Sequence, residues 1–153
     1  MIRKWLVFAL SAGILVSLGL GAGSSNAQDD KESELEKIME QVQKHNVVIT
    51  KGIRSEVYFK KSQKDVEKSA KELVKLAKRA KPIKDALKKA KDEKDPAKKW
   101  AEFLDSMVKD TQKFEAVVAK PGTTYLQAKD AFKPVAKTCV DCHGIFRADE
   151  EKF

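Results

Sequence analysis

The sequence predicts an all-α fold, a bundle of four helices, on the strength of three observations. Alanine, leucine, lysine, glutamate and glutamine, which all favour helix, dominate residues 28–153. Apolar residues recur at steps of three and four, which places them on one face of a helix, and no alternating strand-like run appears. Pro82, Pro96 and Pro121 then separate long helical segments from one another.

Residues 1–27 are predicted to be a secretory signal peptide rather than part of this fold. A basic start with Arg3 and Lys4 precedes an apolar run from Trp5 to about Leu20, and small residues then lead to Ala27. An uncleaved membrane anchor is the alternative, but the apolar run is at the short end for a membrane span. We therefore expect cleavage after Ala27, export to the periplasm, no membrane attachment afterwards, and one domain over 28–153.

The first helix is predicted to begin near Asp30. Gly52 either ends this helix or weakens it, and Tyr58 and Phe59 are assigned to its tail or to the following connection. Its apolar face consists of Leu35, Ile38, Met39, Val42, Ile49 and Ile53.

The second helix is predicted to begin at about Ser62, an N-cap residue with Asp65 three positions later. Pro82 ends it, because proline cannot continue the backbone hydrogen bonding of a helix. A short helical piece is expected at 83–90. The apolar stripe of the second helix consists of Val66, Ala70, Leu73, Leu76 and Ala77.

The third helix begins at Asp95 and Pro96, because an acidic N-cap followed by proline at the first helical position is a strong start signal. Pro121 and Gly122 end it. Its inner face consists of Trp100, Phe103, Leu104, Met107, Val108, Thr111, Phe114 and Val118.

Thr123 or Thr124 caps the fourth helix. The apolar positions of this helix follow one another at steps of three and four, as in the seam of a helix bundle. They are Tyr125, Ala128, Phe132, Val135, Cys139, Cys142 and Phe146. Both cysteines are therefore expected on the core side.

The fourth helix also carries the motif that indicates chemistry, Cys-x-x-Cys-His at 139–143, the attachment pattern of a c-type haem. Two thiols one helical turn apart can each add to one vinyl group of the same porphyrin. The next residue, His143, is then placed to ligate the iron. An exported protein suits this attachment, which takes place outside the cytoplasm. We expect one haem c per chain, bound by Cys139 and Cys142.

Three other uses of the cysteines are weaker. A structural zinc site needs about four ligands, and only His45 is left to complete one. A thioredoxin-type dithiol normally lies at the start of a helix that follows a strand. A disulfide between positions i and i+3 of one helix has poor geometry.

The position of the motif near the end of the chain makes it similar to the cytochrome c-prime family, the class II c-type cytochromes. These proteins continue the motif with two variable residues, an aromatic residue and a basic residue, which here are Phe146 and Arg147. The resemblance implies an antiparallel four-helix bundle with haem between the first and last helices, often dimeric through the first two. It also implies that Arg147 lies close to the haem, where it could pair with a propionate or tune the iron electrostatically. We expect Phe146 to pack against the porphyrin edge.

The resemblance leaves the sixth iron ligand open, and function depends on it. Some relatives place a methionine of the first helix on the iron and carry electrons, whereas others leave the iron five-coordinate and bind NO or CO. Met39 is the candidate distal ligand, Leu35 could instead block the site, and His45 is a third possibility. We expect an electron carrier rather than an enzyme, because no catalytic constellation is visible, with gas binding as the alternative.

The net charge of +8 falls by the two basic residues of the signal peptide. Acidic and basic residues alternate along the helices, so this charge indicates a solvated surface rather than a nucleic-acid site. A basic rim could steer association with an acidic redox partner.

Overall fold

The computed structural model describes residues 33–90 and 93–147, and within them the chain is helical without strands. The predicted signal peptide and its cleavage site lie outside the described residues. The all-α prediction is confirmed. The elements are α1 (Glu34–Gly52), α2 (Glu56–Ala80), a 3-10 helix (Asp85–Lys89), α3 (Pro96–Val118) and α4 (Tyr125–Phe146).

Helix α1 begins at Glu34 rather than near Asp30, because Ser33 forms a capping box with Glu36. The backbone N–H of Ser33 donates to Glu36 Oε2 at 2.7 Å, and that of Glu36 donates to Ser33 Oγ at 3.2 Å. The helix ends at Gly52, where α2 comes very close. A Cβ at this position would overlap Val66 Cγ2 and lie 2.9 Å from Ser62 Oγ, so the close approach requires glycine.

The predicted start of the second helix at Ser62 is wrong, since α2 begins at Glu56 after Ser55. Ser62 lies inside the helix, where its hydroxyl donates to the backbone oxygen of Tyr58 at 2.8 Å. A serine can cap a helix or bond back to the preceding turn, and the local sequence does not distinguish the two. Phe59 consequently belongs to α2 and is buried. The helix ends at Ala80, before Pro82, as predicted.

The start of α3 is confirmed, with Pro96 at the first helical position and the Asp95 carboxylate accepting from the Lys98 backbone N–H at 3.0 Å. Thr124 caps α4 through a capping box with Gln127. Pro134 lies inside α4 without ending it. The apolar seam on both sides of this proline packs into the core, and this packing outweighs the local break.

The core forms where successive helices pack on one another, α1 on α2, α2 on α3 and α3 on α4. In the described part of the chain, α1 and α4 are not a closely packed pair. Among the described residues, packing is therefore closest between helices that follow one another in the sequence. The largest fully buried side chains are Phe59, Phe114, Ile38, Ile49, Leu73, Val66, Val118, Val135 and Thr111.

Replacement of Phe114 by alanine is expected to lower the free energy of unfolding by about 3–5 kcal/mol, the usual cost of emptying a buried aromatic site. Phe114 is fully buried, and its ring centroid lies 5.1 Å from that of Phe132. Urea denaturation measures the loss. Leu126→Ala is the control, because Leu126 is 56% exposed and should change stability by less than about 0.5 kcal/mol. Equal losses of unfolding free energy in Phe114→Ala and Leu126→Ala would contradict the placement of Phe114 in the core.

Candidate functional site

A cleft of about 650 Å³, including the part open to solvent, receives side chains from all four α-helices. Carbon-rich side chains line most of it, with a few polar groups from α1 and α4. The α1 wall consists of Met39, Val42, Gln43 and Asn46. The α4 wall consists of Thr138, Cys139, Cys142 and His143.

The structure brings the whole predicted haem motif to this cleft. Cys139 and Cys142 lie one turn apart on α4, each half-buried and each a free thiol. Cys139 Sγ lies 4.0 Å from Met107 Sδ on α3, another side chain of the cleft. His143 follows directly and also lines the cleft, although the residue as a whole is exposed. Two thiols and an imidazole therefore face one cavity.

Burial keeps the groups of the motif uncharged. It raises the pKa of the Cys139 thiol, and together with neighbouring Cys139 it raises the pKa of Cys142 to about 12. Partial loss of solvent and the nearby charge of Arg147 lower the pKa of His143. A dithiol oxidoreductase needs the opposite shift at its attacking cysteine. A neutral imidazole, by contrast, keeps the lone pair with which it can ligate iron.

Of the three candidates for the sixth ligand, Met39 is the one that lines the cleft. Leu35 packs against the core without lining it. His45 lies towards α2, where its Nδ1 is 3.3 Å from the hydroxyl of buried Ser69. The rotation of α1 thus places a thioether, rather than an isobutyl group or an imidazole, in the same cavity as the motif.

Phe146 and Arg147 occupy positions behind or beside the cleft. Phe146 is buried, and its ring meets those of Trp100 and Phe103 at centroid distances of 5.2 and 6.3 Å. It supports two side chains that line the cleft and does not line the cleft itself. Arg147 is exposed, and its backbone N–H donates to the carbonyl of His143 at 3.1 Å. Its contact with a haem propionate stays a prediction.

Sequence reasoning missed the α2 and α3 walls of the cleft. On α2 the buried residues Ala77 and Ala80 leave space where larger side chains would fill the bundle. On α3 the aromatic rings of Trp100 and Phe103 form the wall. The sequence placed Ala77, Trp100 and Phe103 on inner helix faces, but the apolar pattern of a ligand cavity is the same as that of an ordinary core.

Within 33–90 and 93–147, no group of three or more His, Cys, Asp or Glu side chains is placed to hold a bare metal ion. No helix in the same part of the chain is long and apolar enough to cross a membrane.

Comparison with known proteins finds no family model, no curated protein and no solved structure that matches this chain. The chemistry of the cleft is therefore what indicates a function. Its residues fit a covalently held haem, because they combine two thiols one turn apart, an adjacent imidazole, a thioether and largely apolar walls.

Proposed function

We propose that this chain is an exported monohaem c-type cytochrome that carries single electrons between redox partners. The observation that supports this best is the convergence on one cleft of Cys139, Cys142 and His143 from α4 with Met39 from α1. Cys139 and Cys142 would hold the haem through thioethers, and His143 and Met39 would ligate its iron. When bound, the haem supplies a one-electron ferric–ferrous couple.

The chain's own residues would set the properties of that couple. A methionine thioether favours ferrous iron and raises the reduction potential. The largely apolar walls lower the local polarity around the iron, which also favours the less charged state. The packed bundle holds both ligands in place, so little reorganisation is needed on electron transfer. In this proposal the helices run antiparallel and the haem occupies the gap between α1 and α4.

The surface is compatible with protein partners. Most ion pairs of the described residues join side chains three or four positions apart within the same helix. Such pairs at the surface contribute little to stability. The excess positive charge of the chain favours an acidic redox partner. A homodimer through α1 and α2 stays a prediction. Val48, Val57 and Tyr58 are exposed apolar side chains on these two helices that such an interface would cover.

Binding of NO or CO is the second candidate function. Apart from Met39, the α1 wall offers Val42 and two amides but no further iron ligand. If the Met39 sulfur does not reach the iron, a small diatomic ligand would enter a largely apolar pocket. The haem would then be five-coordinate, with His143 as its one axial protein ligand.

The optical spectrum of the purified protein, oxidised and reduced, with and without CO, tests these proposals. We expect a covalent haem by the pyridine haemochrome assay and a sharp, split low-spin reduced spectrum that CO does not change, because Met39 occupies the sixth position. A broad high-spin spectrum that shifts on addition of CO would contradict the electron carrier and support gas binding. Both proposals would be contradicted if the protein carried no haem after purification from a host that can mature c-type cytochromes.

A further inference from the structure

Trp100, a residue of the cleft wall, carries a buried hydrogen-bond donor that has no partner in the described part of the chain. Trp100 is 4% exposed and lines the cleft, yet its indole Nε1 has no hydrogen-bond partner within residues 33–90 and 93–147. Buried tryptophan N–H groups are usually paired, because leaving one unpaired in the protein interior is unfavourable. Because Trp100 lines the cavity, a ligand bound there can supply the missing acceptor.

The surroundings of Trp100 hold its ring in place. The ring meets the edge of Phe146 at 5.2 Å with an interplanar angle of 71°, an arrangement favoured between aromatic rings. Trp100 lies near the start of α3, which Asp95 and Pro96 fix at its N-terminus. A buried ring packed against Phe146 has little freedom to turn its N–H towards water.

The chemistry of a haem limits what the acceptor can be. In this proposal the four ring nitrogens bind iron, and the two former vinyl groups are thioethers to Cys139 and Cys142. The remaining periphery consists of methyl groups and two propionates. Only the propionates carry strong hydrogen-bond acceptors, and a carboxylate is a better partner for an indole N–H than a neutral group is.

We infer that the Trp100 indole N–H donates a hydrogen bond to a haem propionate and so orients the porphyrin in the cleft. This inference rests on the proposed haem function and adds a positioning residue to it. The sequence predicts Arg147, just after α4, as a propionate partner, and this proposal adds Trp100 from α3.

Two measurements on the haem-loaded protein test the inference. In the reduced wild-type protein labelled with ¹⁵N-tryptophan, the Trp100 indole proton should show a nuclear Overhauser cross-peak to propionate methylene protons. In Trp100→Phe, which keeps a ring and removes the N–H, the propionate-bending band of the resonance Raman spectrum should shift to lower frequency. Phe103→Leu is the matched control, because it shrinks a neighbouring ring of the same wall and leaves the N–H in place.

The outcomes separate this inference from the proposed function. A cross-peak together with a band shift in Trp100→Phe that Phe103→Leu lacks supports the inference. The absence of a cross-peak between the indole proton and the propionate overturns the inference, and this result does not require Trp100→Phe to fold. An equal band shift in Trp100→Phe and Phe103→Leu overturns it as well. A wild-type protein without covalent haem would instead overturn the proposed function.

Discussion

Replacement of both Cys139 and Cys142 by alanine is expected to abolish covalent haem attachment, the largest single effect that we predict. Each thioether needs one of these sulfur atoms, and both line the cleft one turn apart. Without them, haem would be held only by its axial ligands and the apolar walls, which denaturation disrupts. Haem staining on a denaturing gel, together with the intact mass, measures the loss. Either single variant should keep one thioether and therefore part of the stain.

Val140→Ala is the matched control for the cysteine variants. Val140 lies between the two cysteines in the sequence but is 71% exposed, so it does not contribute to the cleft wall. We expect this variant to retain haem at the wild-type level. Full haem staining after both cysteines are replaced would contradict the proposed attachment. Loss of haem in Val140→Ala would indicate that the motif acts through helix integrity rather than through its sulfur atoms.

Replacement of Met39 by alanine is expected to convert the haem from low spin to high spin and to allow CO to bind the reduced iron. Met39 belongs to α1 and His143 to α4. The substitution therefore removes the sixth ligand and leaves His143 on the iron. We expect the reduction potential to fall on the order of 0.1 V, a fraction of the roughly 0.8 V range that axial ligands set. Optical titration and potentiometry measure the two changes.

Met107→Leu is the control for Met39→Ala. Met107 is a second methionine that lines the cleft. It belongs to α3, and its sulfur lies beside that of Cys139. Leucine has nearly the volume of methionine, so the substitution should preserve packing and the low-spin spectrum. An unchanged spectrum in Met39→Ala would exclude Met39 as the ligand. A high-spin spectrum in Met107→Leu would identify Met107 as the ligand instead.

These two experiments also decide between the candidate functions. Covalent attachment depends on Cys139 and Cys142, and the electron carrier and the gas binder share it. The spin state depends on Met39 and differs between them. A protein that loses haem in the cysteine variants yet is high spin in its wild-type form would therefore be a gas-binding c-type cytochrome.

Features that depend on a few neighbouring residues could be predicted from the sequence. Asp95 and Pro96 start α3, Thr124 caps α4 and Pro82 follows the end of α2, because capping and chain breaking involve only groups within one turn. The Cys-x-x-Cys-His spacing is local in the same sense, since one helical turn sets the distance between Cys139 and Cys142.

Local patterns were insufficient where one residue could act in two ways. Ser62 has the sequence context of an N-cap, yet it bonds back to Tyr58 inside α2. Gly52 could end a helix or merely weaken it. Its close approach to Val66, a residue of another helix, makes glycine necessary there. In both cases the deciding contact is with a residue outside the pattern that was used for the prediction.

The sequence by itself determined the all-α fold, most helix ends, and the two cysteines and one histidine that point to haem. Only the tertiary structure decided that Met39 rather than Leu35 or His45 shares the cleft with this motif. It also decided that Trp100 lines the cleft and that its indole N–H has no partner among the described residues. The reason is that successive side chains point about 100° apart around a helix axis. The side chains of α1 and α3 that meet α4 are therefore set by how whole helices pack against one another.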